Sequence, residues 1–245
     1  MSLPREWLVP DWPAPRRVRA FVTTRHGGVS EGEFASMNLG LRSGDEPARV
    51  DRNRLIVRSH LPAAPRWMAQ VHGAAVARLE APGAGAPTAD AAVCTVPGVV
   101  GCVLTADCMP LLLADARGEA VAVAHAGWRG MAAGVIENAV AAMGVAPQGV
   151  IAWMGPAIGP DAFEVGPEVR EAFLATDPGA GEAFRAHREG KYLADLYALA
   201  RRRLAAAGVA EAFGGGFCTW REDGRFFSYR RQPRSGRMGA FVWME

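Results

Sequence analysis

Three side chains that could together bind a metal ion stand beside glycine or proline residues in this sequence. They are His72 in QVHG, Cys108 in TADCMP and His125 in HAGWRG. Zinc prefers imidazole and thiolate ligands, and two histidines with one cysteine leave a fourth tetrahedral position for water, as in catalytic sites. We expect each residue to terminate an apolar strand, because active sites in such sheets favour strand ends.

Spacing alone leaves other interpretations open. The separations of 36 and 17 residues fit no local zinc-finger motif. A buried cysteine with two hydrogen-bonded core histidines would give the same pattern. Cys108 could also act as a nucleophile with His125 as its base, the pairing of thiol hydrolases. Of the other histidines, His26 lies in the glycine turn TTRHGGVS and could line a site.

The elements around these residues predict an α/β or α+β domain with a large mixed sheet or two packed sheets. Apolar runs 111–114 and 120–124 around the turn DARG predict a β-hairpin that ends at His125. The segment WMAQVHGAAVARLE is interpreted as two short strands around Gly73. Helical periodicity predicts helices in 46–61, 131–144 and 192–209. Near the C-terminus, FGGGFCTW, RFFSYRR and GRMGAFVWM predict three strands.

Composition indicates the class of protein and its partners. The chain has 245 residues, half of them hydrophobic, which is enough to bury a sizeable core. A net charge of +2 predicts neither nucleic-acid binding nor attraction to a membrane. We expect no secretory signal, because the N-terminal segment has no continuous apolar region, and no membrane span, because no apolar run approaches the roughly 20 residues needed. The four irregularly spaced cysteines of such a chain predict reduced thiols. The cytoplasm is therefore the expected location, while the oligomeric state stays undetermined.

Several short sequence motifs resemble those of the YfiH family. They are QVHG, TADCMPLLLAD and HAGWRG, with TTRHGGVS and SMNLG before them and FFSYRR and SGRMGAFVWM after them. They occur in the family's order from about residue 18 to the C-terminus. Members of this family, once called laccase-domain proteins or polyphenol oxidases, are regarded as zinc-dependent purine nucleoside phosphorylases with accompanying adenosine deaminase activity.

The resemblance implies a fold, a metal site and substrates. The fold would be a single domain over residues 1–245, with two mixed β-sheets packed between helices in a four-layer αββα arrangement. One Zn²⁺ ion would be held by His72, Cys108 and His125. The substrates would be phosphate and adenosine, inosine or methylthioadenosine. In the motif TTRHGGVS, family members usually carry a bulkier or basic residue at the position of His26, so the resemblance leaves the role of this position open.

Three more residues become candidates through the implied reactions. Deamination needs a carboxylic acid that shuttles protons beside the metal, and Asp107 and Asp90 are available. Turn capping is an equally good explanation for both aspartates. Phosphorolysis needs an anion site, and Arg129 in GWRG stands just before a predicted helix N-terminus. A surface arginine stacked on Trp128 would give the same sequence pattern.

The older oxidase function conflicts with the number of histidines. Multicopper oxidases build their copper centres largely from histidine, and this chain has five in total. A single adventitious copper could still give weak phenol oxidation. A protein that binds purines without turning them over is the non-enzymatic alternative.

Overall fold

The computed structural model describes residues 3–83 and 85–245, so residues 1, 2 and 84 of the predicted domain lie outside it. The strands in this part are β1 (Val18–Val22), β2 (Val76–Leu79), β3 (Ala91–Cys94), β4 (Gly101–Thr105), β5 (Met109–Asp115), β6 (Val121–Ala126), β7 (Val150–Met154), β8 (Glu164–Val165), β9 (Phe184–Ala186), β10 (Tyr192–Ala194), β11 (Glu211–Gly214) and β12 (Met238–Met244). The α-helices are α1 (Pro47–Arg58), α2 (Trp128–Ala132), α3 (Val135–Ala142), α4 (Pro167–Leu174) and α5 (Leu196–Ala206).

Two larger sheets pack face to face. One has the order β11-β7-β5-β6-β3-β2 and contains parallel as well as antiparallel pairs. The other has the order β1-β12-β4 and is antiparallel throughout. Alternate residues of both sheets fill the space between them, with Val103 and Val242 on one side and Leu112 and Val123 on the other.

Helices cover both outer faces. On the three-stranded sheet, Val57 of α1 packs with Phe21 and Phe241. On the six-stranded sheet, α2 to α5 pack over a second cluster that includes Leu111 and Leu113. The predicted αββα order of layers is therefore confirmed, with the refinement that only the larger sheet mixes strand directions. A small third sheet has the order β8-β10-β9.

The predicted hairpin is formed by β5 and β6, which are buried along their whole length. These strands lie in the middle of the six-stranded sheet and have a hydrophobic layer on each face, so both alternating sets of side chains are apolar. Polar residues are left to the ends of the hairpin. This explains why a histidine in β6 lies near the end of the strand.

Several local predictions need correction. The strand predicted in FGGGFCTW is limited to its first two residues, which end β11, and the predicted helix over 192–209 begins only at Leu196, after β10. The predicted helix over 131–144 divides at Gly134, whose φ of +91° ends α2 and starts α3, and α2 already begins at Trp128. The segment RFFSYRR forms turns rather than a strand, because Phe226 and Phe227 are both buried and the Arg231 guanidinium bonds to nearby carbonyls. Of the helices in the described ranges, none has the length and apolar character that crossing a bilayer requires.

Candidate metal centre

Three ligand-bearing side chains converge at the end of the β5–β6 hairpin. The imidazole nitrogens of His72 and His125 and the Sγ atom of Cys108 all lie within 4.8 Å of one another. Cys108 directly precedes β5 and His125 is next to last in β6, so antiparallel pairing brings both to the same end of the sheet. The structure thus brings together the three residues that the sequence predicted as ligands.

The local structure at His72 differs from the prediction. Cys108 and His125 lie at strand ends, as expected, but His72 lies in the loop that precedes β2. Of the two short strands predicted in 67–80, only the second forms. The loop is fixed by hydrogen bonds to a carboxylate rather than by a ladder of strand pairs.

Asp90 supplies that carboxylate. It is fully buried and accepts hydrogen bonds at both oxygen atoms. Its Oδ1 accepts from the backbone N–H of His72 and from Nδ1 of His125, both at 2.9 Å. Its Oδ2 accepts from the backbone N–H groups of Val71 at 3.0 Å and Gly73 at 2.8 Å. One side chain therefore orients one histidine ring directly and the other through its backbone, as outer carboxylates do in metal sites.

These contacts also keep Asp90 ionised. Burial opposes its charge, but the hydrogen bonds from His125, Gly73 and Val71 outweigh burial and lower the pKa of Asp90 to about 2. A carboxylate on Nδ1 leaves the Nε2 atom of His125 to face the cluster.

Cys108 and His125 polarise each other. Burial opposes a thiolate, but the positive charge of His125 and hydrogen bonds from both histidines lower the pKa of Cys108 to about 6. Burial likewise opposes a protonated His125, but the thiolate and the bond to Asp90 raise the pKa of that histidine to about 9. A thiolate held beside two imidazoles has the donor atoms that zinc prefers. No other comparable group of three such side chains occurs within residues 3–83 and 85–245.

The backbone is left-handed at two positions in the site. Among the non-glycine residues that the structure describes, only His72, with φ of +60°, and Asp107, with φ of +87°, have this conformation. Side chains rarely adopt it, and it persists where surrounding contacts hold it. Here the Asp90 carboxylate holds the N–H of His72, and the N–H of Ile158 holds the carbonyl of Asp107 at 2.9 Å.

Gly127 gives the cluster its space, and we predict that Gly127→Ala weakens metal binding. A Cβ atom there would lie 2.7 Å from the Cys108 Sγ atom, whereas the φ of −75° suits any residue. The clash should displace the Cys108 sulfur and lower the affinity of the site for a metal ion roughly tenfold, the scale of other changes beside metal ligands. Competition with a chromophoric chelator measures the affinity. Gly224→Ala is the control, because a Cβ atom at position 224 would meet no described residue within 4 Å; equal affinities for both variants would contradict the steric argument.

The cluster opens into a cleft of about 710 Å³. Aromatic side chains contribute to its wall, namely Trp67, Trp128, Phe163 and Tyr229. Five arginines also line it, namely Arg42, Arg54, Arg129, Arg230 and Arg237. Among the described residues that line it, Asp107 is the one carboxylate. Flat rings beside positive charges suit a ligand that combines an aromatic base with an anionic group.

A smaller recess of about 380 Å³ adjoins the cleft. Trp128, Arg129 and Arg230 line both spaces, and Lys191 lines only the recess. Two carboxylates also line it: Glu164, which pairs with Arg188 at 2.5 Å, and Glu168. The recess thus has three cations and two carboxylates beside a wall that it shares with the cleft.

The remaining predicted residues differ in position. Arg129 lines the cleft and stacks at 4.4 Å over Trp128, but it lies inside the first turn of α2 rather than before the helix. Asp107 lines the cleft, whereas Asp90 lies behind the histidines and does not. His26 is exposed, its ring contacts the carbonyl of Gly224, and it has no place in the lining of the cleft.

Sequence reasoning missed several residues of the cleft. Arg54 of α1 stacks at 3.9 Å over Trp67, and Arg237 lies half-buried just before β12, with its pKa lowered by burial. Tyr229 and Arg230 lie in a segment predicted as a strand. The signal that could have found them is the density of arginine in SYRRQPRSGR, which is high for a segment so close to buried phenylalanines.

Comparisons with known proteins match nearly the whole length of the chain. Residues 19–245 match a family model described as multi-copper polyphenol oxidoreductase laccase. A purine nucleoside phosphorylase of Pseudomonas aeruginosa is 50% identical over 240 residues, which is 98% of both chains. The purine nucleoside phosphorylase YfiH of Escherichia coli is 50% identical over 239 residues, covering 97% of this chain and 98% of that protein. A crystal structure from Neisseria meningitidis is 46% identical, covers 98% of this chain and all of its own, and superposes with a TM-score of 0.95.

Proposed function

We propose that this chain, which belongs to the family described as multi-copper polyphenol oxidoreductase laccase, is a zinc-dependent purine nucleoside phosphorylase. Relatives with this activity in their names are 50% identical over nearly the full chain. In this proposal the chain acts as one domain, residues 1–245, in the cytoplasm. Its substrates are small molecules, with neither a nucleic acid nor a membrane as partner.

The observation that carries the proposal is the convergence of His72, Cys108 and His125 on the wall of an arginine-rich, tryptophan-lined cleft. One zinc ion fits their two imidazoles and one thiolate. When bound, zinc supplies Lewis-acid polarisation of a substrate group and activation of water. Copper could bind the same donors, but oxidases of the multicopper type need several centres. The described residues bring together one such group.

Phosphorolysis exchanges one bond for another at the ribose. A phosphate oxygen bonds to C1′ as the bond from C1′ to the purine nitrogen breaks, and the purine leaves with the bonding electrons and takes up a proton. We place the base among Trp67 and Trp128 and the phosphate between Arg129 and Arg230, which line both cleft and recess. The products are the free base and ribose 1-phosphate, or methylthioribose 1-phosphate from methylthioadenosine.

We predict that Arg129→Ala raises the KM for phosphate roughly ten- to a hundredfold, the range expected for losing a charge-assisted hydrogen bond. The KM for adenosine and the zinc content should change little, because the metal ligands are untouched. Steady-state kinetics at varied phosphate measures the effect. Arg117→Ala is the control, since Arg117 lies in the exposed turn between β5 and β6. An unchanged phosphate KM would show that Arg129 merely stacks on Trp128.

Adenosine deamination is the second activity in the proposal, with adenosine bound in the same cleft. Water adds at C6 and ammonia leaves, which requires proton transfers. Of the two carboxylates predicted as proton carriers, only Asp107 reaches the cleft.

The decisive experiment incubates protein of known metal content with adenosine, with and without phosphate, and quantifies adenine, inosine and hypoxanthine. Adenine that forms only with phosphate supports phosphorolysis. Inosine in either condition supports deamination. Absence of every product from zinc-loaded protein would refute the enzyme and favour a purine-binding protein.

A thiol hydrolase is the second candidate, favoured by one specific observation. Asp90, His125 and Cys108 lie in the order of a catalytic triad, with the carboxylate on Nδ1 of the histidine and the thiol pKa lowered to about 6. The two functions differ in metal content. Metal-free protein that is trapped at Cys108 by a thiol-alkylating substrate analogue would support the hydrolase.

A further inference from the structure

The Asp107 side chain contacts two loops that are distant in sequence. Its Oδ1 atom accepts a hydrogen bond from the hydroxyl of Thr219, and its Oδ2 atom accepts one from the backbone N–H of Arg230, both at 2.6 Å. Thr219 is completely buried and Asp107 is 9% exposed.

Hydrogen bonds from Arg231 connect these two loops to each other. The guanidinium of Arg231 donates to the carbonyls of Thr219, Trp220 and Phe226, at 2.6 to 2.9 Å. The segment 228–231 is therefore tied to the loop around Thr219, and Asp107 fastens both to the turn 106–108 that carries Cys108. Tyr229 and Arg230 of this segment line the cleft, and Arg230 also lines the recess.

We propose that Asp107 is a positioning residue, whose carboxylate sets Tyr229 and Arg230 against the Cys108 turn and thereby determines the affinity for phosphate. The inference rests on the proposed phosphorylase function. A proton carrier needs an oxygen atom that reaches the substrate, and both oxygens of Asp107 bond to groups of its own chain. The carboxylate of Asp107 therefore lines the cleft, and its hydrogen bonds hold the wall of the cleft in place.

The backbone at Asp107 is fixed as well. Its carbonyl accepts the N–H of Ile158, another residue that lines the cleft. Since φ is +87° there, glycine removes the carboxylate without adding backbone strain, whereas alanine would add it. Asparagine preserves both contacts, because its oxygen can accept from Arg230 while its amide donates to the Thr219 hydroxyl, which can also accept.

The test compares Asp107→Gly with Asp107→Asn. We expect the glycine variant to raise the KM for phosphate about tenfold, on the scale of one charged hydrogen bond, with kcat reduced less and zinc content unchanged. The asparagine variant should restore the KM to within about threefold of the parent protein. Thr219→Val, which removes only the hydroxyl donor, should raise the same KM.

A role as proton carrier gives the opposite pattern. Both Asp107 variants would then lose roughly a hundredfold or more in kcat for adenosine deamination, the scale of general acid–base catalysis, and that result would overturn the proposal. Asp115→Ala is the matched control: Asp115 is a buried carboxylate that binds two backbone N–H groups at the other end of β5. It should lower stability and leave the phosphate KM unchanged.

Hydrogen exchange separates this inference from the proposed function. The Arg230 amide should exchange faster in Asp107→Gly than in the parent protein and stay protected in Asp107→Asn. Failure of the parent protein to cleave adenosine with phosphate would refute the phosphorylase but leave this readout intact. Unchanged exchange of the Arg230 amide in Asp107→Gly would refute the inference that the Asp107 carboxylate holds the segment 228–231 in place.

Discussion

Under the proposed function, replacing Cys108 with serine is expected to abolish zinc binding and to lower the phosphorolysis rate by about a thousandfold or more, roughly 4 kcal/mol of transition-state stabilisation. Cys108 is the one anionic donor among the three proposed ligands, and its lowered pKa of about 6 favours the thiolate at neutral pH. A serine hydroxyl stays protonated there and is a poor zinc ligand. Elemental analysis gives zinc per chain, and adenosine turnover with phosphate gives the rate.

Cys218→Ser is the matched control for this prediction. Cys218 has a similar exposure to that of Cys108, and its Sγ atom accepts the N–H of Gly159 at 3.3 Å, a bond that a serine oxygen can also accept. This variant should keep its zinc and its rate. If Cys108→Ser retained one zinc per chain, the cysteine would not be a ligand, and loss of activity without loss of metal would point to a nucleophile.

The convergence of His72, Cys108 and His125 was predictable from residue types together with the resemblance to the YfiH family. Each lies within two residues of a glycine or proline at an interruption of an apolar run, but that spacing alone was equally compatible with a buried cysteine and two core histidines. The hairpin was equally predictable, since two fully apolar runs around DARG allow few other structures. What brings His72 to the other two ligands is a contact between residues 18 apart, and periodicity carries no information about such contacts.

The two aspartates show where prediction from sequence reached its limit. Turn capping and proton transfer were equally good explanations for both. The side chains of Asp90 and Asp107 do not cap their own turns; each accepts hydrogen bonds from residues 17 or more positions away. Their roles depend on tertiary packing, which also brings Arg237 into the wall of the cleft and turns the predicted strand RFFSYRR into the segment that holds Tyr229 and Arg230.

The same substitution should affect the two aspartates differently. At Asp107 one partner is a hydroxyl, which can donate or accept, so asparagine can satisfy both contacts. At Asp90 the partners are three backbone N–H groups and a histidine ring. A backbone N–H cannot accept a hydrogen bond. When Nε2 of His125 faces the metal, its Nδ1 carries the proton, so whichever way an asparagine amide is turned at position 90, its NH₂ group meets two donors.

Asp90→Asn is therefore expected to weaken zinc binding by about ten- to a hundredfold, as changes to residues behind metal ligands do. It should also lower the free energy of unfolding of the metal-free protein by roughly 3 kcal/mol, the scale for breaking a buried charged pair. Chelator competition measures the first effect and denaturant unfolding the second. The His72 loop and the His125 ring lose their shared acceptor together, so both effects should appear in one variant.

Asp195→Asn provides the comparison that makes this prediction specific. Asp195 caps α5 through a single oxygen atom, which accepts the N–H groups of Tyr197 and Ala198 at 2.9 and 3.0 Å. Asparagine keeps such an oxygen and is as good a cap as aspartate, so this variant should keep both its stability and its zinc. Equal tolerance at positions 90 and 195 would mean that Asp90 only fills space behind the histidines. Loss at position 90 alone would instead identify it as the carboxylate that positions both of them for the metal.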